Sequence, residues 1–484
     1  MAAKSRAAAA ASPLRVMFAA AEFAPLAQSG GLGDAVAGLA RALADRGHRV
    51  ACALPAYAAV RAHPACPVLV EAGRVSLPLP DGDVSGRWLM GRLGAVELHL
   101  LELDGLYDRP DFYGGADEAL RFAAFSRAAA ARCVELAPDV LVAHDWHAAL
   151  AICSLRTLHD RGPVRGIGTV QVVHNNAHQG RFPADAMRFT GLPGELFTPD
   201  GLEFHGDLSL LKGGLAWAER IVAVSPSYAV ELTTPAFGAG LEGLYRYRRH
   251  RLVGIANGID VDRYDPARDD ALAAGFDRQA PQGRRDCRKA LLEELGLESP
   301  ETGRLLASVG RLAVQKGWDV IAAAAPRLLE NGCALALLGS GDATIAARLS
   351  ELASRWPKRV FFRDGWDDAL ARRLYAGTDA VLVPSRFEPC GLVQLLAQRY
   401  GALPVAHAVG GLRDTIRDGE TGILFPRLSA DALVNAVERG AALRSERGSA
   451  LIRKLLRVDV SWKRPAALWE EQLAAVAAES AARV

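Results

Sequence analysis

The sequence predicts an α/β protein made of two large units, each built on a parallel sheet with helices on both faces. Three observations support this class. The chain has 484 residues, and half of them are hydrophobic. Typical domains take ~100–200 residues, so this length exceeds one ordinary core. Short apolar runs also alternate with stretches of helical periodicity, and this rhythm breaks off and starts again, as two successive doubly wound sheets require.

The first unit opens with a strand, helix, strand pattern. Residues 14–20 predict a strand, and the glycine-rich loop Gln28–Asp34 follows. A helix with apolar residues at helical spacing comes next, ends near Gly47, and leads to a strand at 49–54. The other elements expected here are strands at 96–103, 140–143, 169–173 and 221–224, the last being the final strand, and helices at 118–136, 148–158 and 210–218.

The arginine-rich stretch 245–265, which contains the turn Asn257–Gly258, is the expected link. In the second unit, apolar runs predict strands at 305–309, 334–338, 360–362, 380–383 and 403–406. The spacing of apolar residues in the tail predicts a final amphipathic helix. These patterns divide the chain into a tail at 1–13, one domain at 14–250, a second at 251–460, and a terminal segment at 461–484.

Composition excludes several classes of protein. The 57 basic and 55 acidic residues give a net charge of +2, which offers no surplus to follow a nucleic acid backbone. No apolar run approaches the ~20 residues of a membrane span. The seven cysteines are scattered without a CxxC pair, so neither a disulfide framework nor a zinc site is indicated. Reduced thiols favour a cytoplasmic protein.

The segment Val383–Gln394 carries the strongest functional signal. Glu388 follows an apolar strand and precedes a helical stretch, so it lies at the edge where open α/β sheets bind ligands. A carboxylate there can accept hydrogen bonds from sugar hydroxyls. Backbone N–H groups near Gly391 can face a phosphate. This combination suggests an enzyme that uses a nucleotide sugar.

Two further loops follow predicted strands of the first unit. The loop Gln28–Asp34 could approach an anionic ligand closely or be a plain tight turn, and both interpretations stay open. It has neither the P-loop pattern nor GxGxxG, which disfavours a nicotinamide cofactor. His174 begins a dense polar cluster after another strand, where loops commonly carry binding residues.

Arg311 and Lys316 share one loop of the second unit, where two cations could neutralise a departing diphosphate or form a solvated basic loop. The turn at Gly339 suits a nucleotide, and Trp366 could stack on a base or fill the core. The motif His144–His147 lacks further ligands for a metal, so we expect Asp145 to cap a helix and no metal to bind.

Together these segments resemble glycosyltransferase family 5, the bacterial glycogen synthases and plant starch synthases, in order from Arg15 to Trp469. The most specific matches are Pro384–Leu392 and His144–Ala148. The resemblance implies a GT-B fold, with two Rossmann-like doubly wound domains facing across a cleft and the last helix returning to the first domain. It also implies transfer of glucose from ADP-glucose to the non-reducing end of an α-1,4-glucan such as glycogen, with retention and without a metal or cofactor.

The resemblance also implies roles for residues. Arg311 and Lys316 would hold the donor diphosphate, Glu388 would contact the glucosyl ring, and His174 would lie near the sugar hydroxyls. The implied substrate-binding residues are Gln28, Gly30, Gly31, Asp34, Asp145, Asn175, Asn257, Gly339, Trp366, Cys390, Gly391 and Leu392.

Three departures from the family pattern leave alternatives open. Gln28 occupies the usual Lys position, Val393 occupies a frequent Thr position, and Asn176 and His178 replace the usual Leu and Tyr. A glycosyltransferase that uses UDP-glucose or another acceptor is one alternative. A weakly active glucan-binding homologue is the other. The sequence predicts no oligomeric state.

Overall fold

The computed structural model of the chain describes residues 12–80, 82–109, 111–300 and 304–484. The tail expected at 1–13 lies almost entirely outside these ranges. The described residues form two compact units. One takes the residues up to Val224 with Ala229–Ile255 and Trp462–Val484, and the other takes Ser225–Tyr228 with Ala256–Ser461. The sequence boundaries at 250/251 and 460/461 remain predictions.

Strands and helices alternate through the first half of the chain. The strands up to residue 255 are β1 (Arg15–Ala19), β2 (Arg49–Pro55), β3 (Val70–Leu77), β4 (Val84–Leu93), β5 (Val96–Leu103), β6 (Val140–His144), β7 (Gly168–Val173), β8 (Arg181–Pro183), β9 (Glu203–Phe204), β10 (Asp207–Ser209), β11 (Arg220–Ala223) and β12 (Leu252–Gly254). The α-helices are α1 (Gly31–Asp45), α2 (Ala58–Ala62), α3 (Glu118–Leu136), α4 (Asp145–Thr157), α5 (Leu210–Trp217), α6 (Pro226–Glu231) and α7 (Glu242–Tyr247).

The large sheet of the first unit has the order β12-β11-β7-β6-β1-β2-β5-β4-β3. Its strands are parallel from β12 to β5, as predicted, and the central strands β6 and β7 are buried throughout. A small antiparallel sheet of β8, β10 and β9 accompanies it.

Two details of the sequence prediction were wrong for this sheet. The sheet is not wholly parallel, because β4 pairs antiparallel with both β5 and β3. These two strands are half exposed, so their mixed polar pattern gives no long apolar run. The strand at 220–223 is also not the last, because β12 lies within the stretch expected to be the link and extends the sheet beside β11.

The second half of the chain repeats the βα rhythm. Its strands are β13 (Leu305–Val309), β14 (Ala334–Gly339), β15 (Val360–Asp364), β16 (Ala380–Val383), β17 (Leu403–His407) and β18 (Ile423–Phe425). Its α-helices are α8 (Gly283–Leu295), α9 (Trp318–Glu330), α10 (Ala343–Arg355), α11 (Asp368–Gly377), α12 (Val393–Arg399), α13 (Gly410–Thr415), α14 (Ala430–Arg447) and α15 (Ser449–Leu455), and α16 (Lys463–Ala481) follows them.

The sheet of the second unit is parallel throughout, in the order β15-β14-β13-β16-β17-β18. Every residue of β13, β14 and β16 is buried, which is expected when helices cover both faces. Alternate residues of each strand join one of two apolar clusters, so Leu305 and Leu306 belong to different clusters. Four loops that leave the carboxyl edge of this sheet, those after β13, β14, β15 and β16, carry predicted site residues.

The helix α16 packs within the first unit. Glu470 accepts hydrogen bonds from Arg46 and pairs with His48, and Glu479 pairs with Arg220 at 2.8 Å. Leu473 and Val476 are fully buried, which is the amphipathic pattern that the sequence predicts. Within the described residues, none of the helices has the length and apolar character needed to cross a bilayer. All seven cysteines lie in the described ranges, and none of them forms a disulfide bond.

Candidate active site

The carboxyl edge of the second sheet brings Lys316 and Glu388 into direct contact. Lys316 Nζ donates to both carboxylate oxygens of Glu388, at 3.0 and 2.7 Å. Glu388 is 6% exposed, and the ammonium group of Lys316 compensates the cost of burying its carboxylate. Ser385 Oγ donates a further hydrogen bond to Glu388 Oε2 at 2.9 Å. The two residues therefore form one fixed ion pair, although they come from loops after different strands.

Backbone contacts hold these two loops together. Arg386 donates its N–H to Gln315 O at 2.8 Å, and Gln315 Nε2 donates to Phe387 O at 3.0 Å. Gly317 has a left-handed φ of +71°, and a Cβ placed on it would lie 1.9 Å from Pro384 O. Only glycine fits this close approach. The position of Lys316 is therefore set by backbone packing as well as by its ion pair.

Arg311 follows β13 and has an exposed side chain. Among the residues that the structure describes, no carboxylate pairs with its guanidinium. Its carbonyl accepts a hydrogen bond from Trp318 Nε1 at 2.8 Å, which fixes the backbone at the base of the loop. Arg311 can therefore offer its full set of donors to an anion. The structure places it on the same loop as Lys316 but not in the Lys316–Glu388 pair.

The turns at Gly339 and Trp366 lie side by side. Gly365 donates to Gly339 O at 2.9 Å, and a Cβ on Gly339 would lie 2.3 Å from Gly310 O. The three loops after β13, β14 and β15 are thus in contact at this edge. Trp366 is 63% exposed, so the core interpretation of this residue is wrong and its ring is available for stacking.

The segment after Glu388 joins the remaining predicted residues of this unit. Asn257 N donates to Cys390 Sγ at 3.4 Å, and Gly391 adopts a left-handed φ of +76°. Leu392 directly precedes α12. Burial raises the pKa of the Cys390 thiol to about 12, so this cysteine is a neutral wall residue and not a nucleophile.

A second group of predicted residues lies at the carboxyl edge of the first sheet. Gln28 Nε2 donates to Asp34 Oδ2 at 2.6 Å, which joins the start of the glycine-rich loop to the first turn of α1. Gly30 is the N-cap of α1, and Gly31 is its exposed first residue. The N-cap offers no side-chain hydrogen bond to the first turn. The loop therefore presents backbone N–H groups together with a neutral amide where the family usually has an ammonium group.

Asp145 connects the predicted residues that follow β6 and β7. Its Oδ1 accepts hydrogen bonds from His174 N at 2.7 Å and Asn175 N at 3.3 Å. The prediction that Asp145 caps α4 was wrong, because the N-cap is His144 and the Asp145 carboxylate reaches across to the next loop. Asp145 also has a positive φ of 54°, an uncommon conformation for a residue with a side chain.

Burial also changes the protonation of this group. Desolvation raises the pKa of Asp145 to about 7, and it lowers the pKa of His174 to about 3. His144 Nδ1 and His174 Nε2 lie 2.9 Å apart. His174 is therefore a neutral imidazole at physiological pH, able to donate or accept one hydrogen bond with a sugar hydroxyl but carrying no charge.

Glu22 and Tyr113 also belong to this group, and the sequence analysis missed both. Glu22 is 2% exposed and accepts hydrogen bonds from Ser29 N at 2.9 Å, Ser29 Oγ at 2.6 Å and Tyr113 Oη at 2.5 Å. Tyr113 lies against His147, with ring centroids 4.9 Å apart. Glu22 could have been suspected, since it is a carboxylate three residues after β1. Tyr113 lies far along the loop at 104–117 between β5 and α3, so the end of the strand does not mark its position.

Ser385 was also missed, although it lies inside the most informative motif. Its side chain is 1% exposed and bonds Glu388, and its carbonyl accepts from His407 Nδ1 at 2.8 Å when that nitrogen carries the proton. Within the described ranges, no cluster of three or more His, Cys, Asp or Glu residues could hold a metal ion. The charged side chains described above for the second unit's site are those of Arg311, Lys316 and Glu388.

Comparisons with known proteins agree with this geometry. A model of the starch synthase catalytic domain matches residues 15–247, and a model of group 1 glycosyl transferases matches residues 303–442. The glycogen synthase of Methylocella silvestris is 40% identical over an alignment of 480 residues, and the match covers 95% of this chain and 98% of that protein. The glycogen synthase of Alkalilimnicola ehrlichii is 43% identical over 452 residues, 89% of this chain and 91% of its own length.

The chain belongs to the glycogen and starch synthase family.

This family member also resembles a solved structure over most of its length. The catalytic domain of starch synthase IV from Arabidopsis thaliana, bound to ADP and acarbose, matches with a TM-score of 0.90 and 31% identity. The match covers 96% of this chain and all of that one. The prediction of a GT-B glycosyltransferase with Rossmann-like units, and the resemblance to family 5, are thereby confirmed.

Proposed function

We propose that this chain is a glycogen synthase that transfers glucose from ADP-glucose to the non-reducing end of an α-1,4-glucan with retention of configuration. The observation that carries the proposal is the ion pair between Lys316 and the buried Glu388, together with Arg311, whose exposed guanidinium lies on the loop of Lys316. Family membership supplies the reaction class. The local geometry supplies cations for a diphosphate and a carboxylate for a sugar.

The donor is expected to bind at the second unit. Arg311 and Lys316 would hold the diphosphate, because a leaving group that gains negative charge is stabilised by fixed cations. The exposed ring of Trp366 would stack on the base, and the tight turn at Gly339 would let the nucleotide approach the backbone. Glu388 would accept hydrogen bonds from hydroxyls of the glucosyl ring. Asn257, Cys390, Gly391 and Leu392 would form the adjoining wall.

The first unit is expected to contact the transferred sugar and the acceptor. His174 would exchange a hydrogen bond with a hydroxyl group, and Asp145 would hold the His174–Asn175 turn in place. The loop from Gln28 to Asp34, held by Glu22, would offer N–H groups to the donor. Gly30 and Gly31 leave room for that approach.

In the reaction, the bond between the anomeric carbon and the phosphate oxygen breaks as charge moves onto the diphosphate. The sugar becomes oxocarbenium-like, and the acceptor hydroxyl attacks the face that the phosphate leaves. The departing phosphate oxygen can take the acceptor's proton. Arg311 and Lys316 favour this route because their attraction to the diphosphate grows as its charge grows.

The donor assay tests the proposal directly. Purified protein is incubated with glycogen and either ADP-glucose or UDP-glucose carrying a labelled glucosyl group, and label in precipitated glycogen is counted. We expect transfer from ADP-glucose to exceed transfer from UDP-glucose by at least about tenfold, a difference of ~1.4 kcal/mol. Preference for UDP-glucose, or label in neither case, would refute the proposal.

Gln28 is the observation that favours a second candidate, a glucan-binding homologue of low activity. Its amide bonds Asp34 and carries no charge for the diphosphate. A protein of this kind would bind glycogen but release little ADP, and Gln28→Lys would raise its turnover. The matched control adds the same charge at the exposed Gln279. Efficient release of ADP by the unchanged protein would exclude this candidate.

We also propose a cytoplasmic location. The seven cysteines include no disulfide, and six of them are buried. Buried thiols that form no disulfide suit a reducing compartment. Cell fractionation with antibody detection would test this assignment.

A further inference from the structure

We propose that His144 is a positioning residue: it donates a hydrogen bond from Nδ1 to His174 Nε2 and thereby leaves His174 with an N–H group at Nδ1 for the transferred sugar. This inference rests on the proposed function, in which His174 meets a sugar hydroxyl. It adds the atom of His174 that makes the contact, the direction of the hydrogen bond, and the residue that determines both.

The first sheet places the two imidazoles next to each other. His144 ends β6 and lies opposite Val172 of β7 in the parallel ladder. Side chains two positions apart on a strand share a face, so His174 follows Val172 on the face that also carries His144. Phe18, opposite Val142 in the neighbouring ladder, lies on the same face. The ring centroids agree, since His144 lies 4.8 Å from Phe18 and 5.2 Å from His174.

One proton links the two imidazole rings. His144 Nδ1 and His174 Nε2 are 2.9 Å apart, so one of these nitrogens carries the proton and the other accepts it. Both rings are neutral at physiological pH, because burial lowers the pKa of each. A neutral imidazole has a single N–H group. The ring that donates therefore has a bare second nitrogen, and the ring that accepts carries its N–H on the second nitrogen.

The surroundings of His144 Nε2 indicate which ring donates. His144 is 1% exposed, and none of the described residues offers its Nε2 a hydrogen-bond partner. If His174 were the donor, His144 Nε2 would carry an N–H group that is cut off from water, and buried N–H groups without a partner are rare. If His144 is the donor, the same atom is an unsatisfied acceptor, which folded proteins tolerate more often. The geometry therefore favours donation from His144 Nδ1.

Two consecutive residues hold His174 at both its backbone and its ring. Asp145 Oδ1 accepts from His174 N at 2.7 Å, while His144 fixes His174 Nε2. A flip of the His174 ring would put a carbon atom where Nε2 now lies, and the hydrogen bond to His144 would be lost. His174 Nδ1 is the nitrogen that remains for a ligand. With its proton in place, it acts as a donor that a sugar hydroxyl oxygen accepts, without rearrangement of the ring.

Nuclear magnetic resonance reads these tautomers directly. Protein labelled with nitrogen-15 in its histidine side chains is studied without substrate at neutral pH, by correlation of ring nitrogens with ring C–H protons. Spectra of His144→Asn and His174→Gln assign the two residues. We expect both residues to show the pattern of an Nδ1–H imidazole, because donation from His144 Nδ1 requires it at both. The pattern of an Nε2–H imidazole at both residues would overturn the inference.

Variants of His144 test whether the tautomer matters for transfer. His144→Phe keeps a ring but has no donor, so we expect kcat with ADP-glucose and glycogen to fall by about fivefold to tenfold, as the loss of one oriented hydrogen bond implies. The Nδ1–H form of His174 should lose its majority in this variant. His144→Asn places an amide N–H near the position of Nδ1 and should keep kcat within about threefold.

The matched control is His99→Phe, which removes an imidazole that is 0% exposed and pairs with Glu97 in β5. It should change stability but neither kcat nor the tautomer of His174. Thermal unfolding identifies the variants that remain folded. Normal kcat in folded His144→Phe, or an equal loss of kcat in His144→Asn or in His99→Phe, would overturn the positioning role. Absence of glucose transfer by the unchanged protein would mean that the proposed function has failed, and the tautomer pattern, measured without substrate, keeps the two results apart.

Discussion

At the residue scale, the contact between Lys316 and Glu388 determines how both can act. Each neutralises the other, and Glu388 is almost fully buried. In the proposed complex, the diphosphate would share Lys316 with this carboxylate, which holds the ammonium group in place and partly neutralises its charge. We regard Glu388 as both a sugar ligand and the support that orients Lys316.

Glu388→Gln is the sharpest test of this pair. The amide keeps the size of the side chain but removes the charge, so we expect turnover to fall by about 100-fold or more. The fold should survive, because Ser385 and Lys316 can still bond the remaining oxygen. Steady-state kinetics and circular dichroism provide the measurements. Glu298→Gln, which removes an exposed carboxylate paired with Lys358, is the control and should behave as the unchanged protein. Normal turnover of Glu388→Gln would disprove the assigned role.

The burial of Asp145 predicts how the stability of the fold depends on pH. Its pKa is raised by burial to about 7 from an ordinary value of 3.8, so the folded state binds the proton more tightly than the unfolded state. This contribution to stability is complete below about pH 4 and is lost as the pH rises towards 7. Asp145→Asn has no such loss and keeps an oxygen for His174 N and Asn175 N.

Urea unfolding from pH 4 to pH 8 measures the difference. The free energy of unfolding of Asp145→Asn, relative to the unchanged protein, should rise across this range and level off above pH 7. Asp139→Asn serves as a control at a carboxylate whose side chain is 34% exposed. A difference that is flat with pH would contradict the burial argument.

The candidate residues were largely predictable because each follows a strand and carries a distinctive chemistry. Glu388, Lys316 and His174 were identified in this way. The partners were not predictable, since Asp145 reaches His174 across 29 positions and Tyr113 reaches Glu22 across 91. The strand pattern predicts at which end of a strand a residue lies. Its contact partners depend on how the strands are ordered in the sheet, which the pattern does not give.

At the element scale, the loop between β13 and α9 shows how backbone packing sets the position of a reactive side chain. Gly317 is both the N-cap of α9 and the point of closest approach to Pro384. The loop of Lys316 and the loop of Glu388 are held together at this point. We therefore expect a change in the backbone of one loop to shift the other.

Gly317→Ala should separate these loops. The added Cβ meets a backbone oxygen at a distance that side chains do not tolerate, and the left-handed φ adds strain. We expect a loss of about 2 kcal/mol or more in the free energy of unfolding and a higher KM for ADP-glucose. The control is Gly243→Ala, within α7, where an added Cβ meets nothing within 4 Å. Equal stability of the two variants would exclude the packing argument.

Most elements were predicted from their apolar runs, and the missed strands are those that lack a long apolar run. The helix α3 and the strand β5 were predicted with the bounds observed. The strands β3 and β4 were missed because half of each faces solvent. The strands β12 and β18 were missed because three residues are too few to produce a periodic signal.

At the scale of the whole molecule, the first unit is assembled from segments far apart in the chain. The helix α16 contributes Trp469, Leu473 and Val476 to the interior of that unit. At the other edge, Glu219 accepts hydrogen bonds from Arg156 and Arg483, and these Arg partners hold its pKa below its usual value despite burial. The first unit therefore depends on residues encoded after the second.

Leu473→Ala tests that dependence. The side chain is fully buried, so its truncation should lower the free energy of unfolding by about 2–5 kcal/mol. Leu468→Ala removes a 38% exposed leucine from the same helix and should cost much less. Thermal unfolding of both variants, read alongside ADP-glucose turnover, makes the comparison. Equal losses would show that α16 is not a structural part of the first unit.

The placement of α16 also has a consequence for the order of events on the ribosome. The polypeptide emerges amino end first, and domains generally fold as they appear. Here the segment Ala256–Ser461 leaves the exit tunnel before Trp462–Val484, so the second unit can mature while the first still exposes the groove that α16 will fill. A nascent chain stalled near residue 460 would carry that unfilled groove, which makes it a natural client for chaperones during translation.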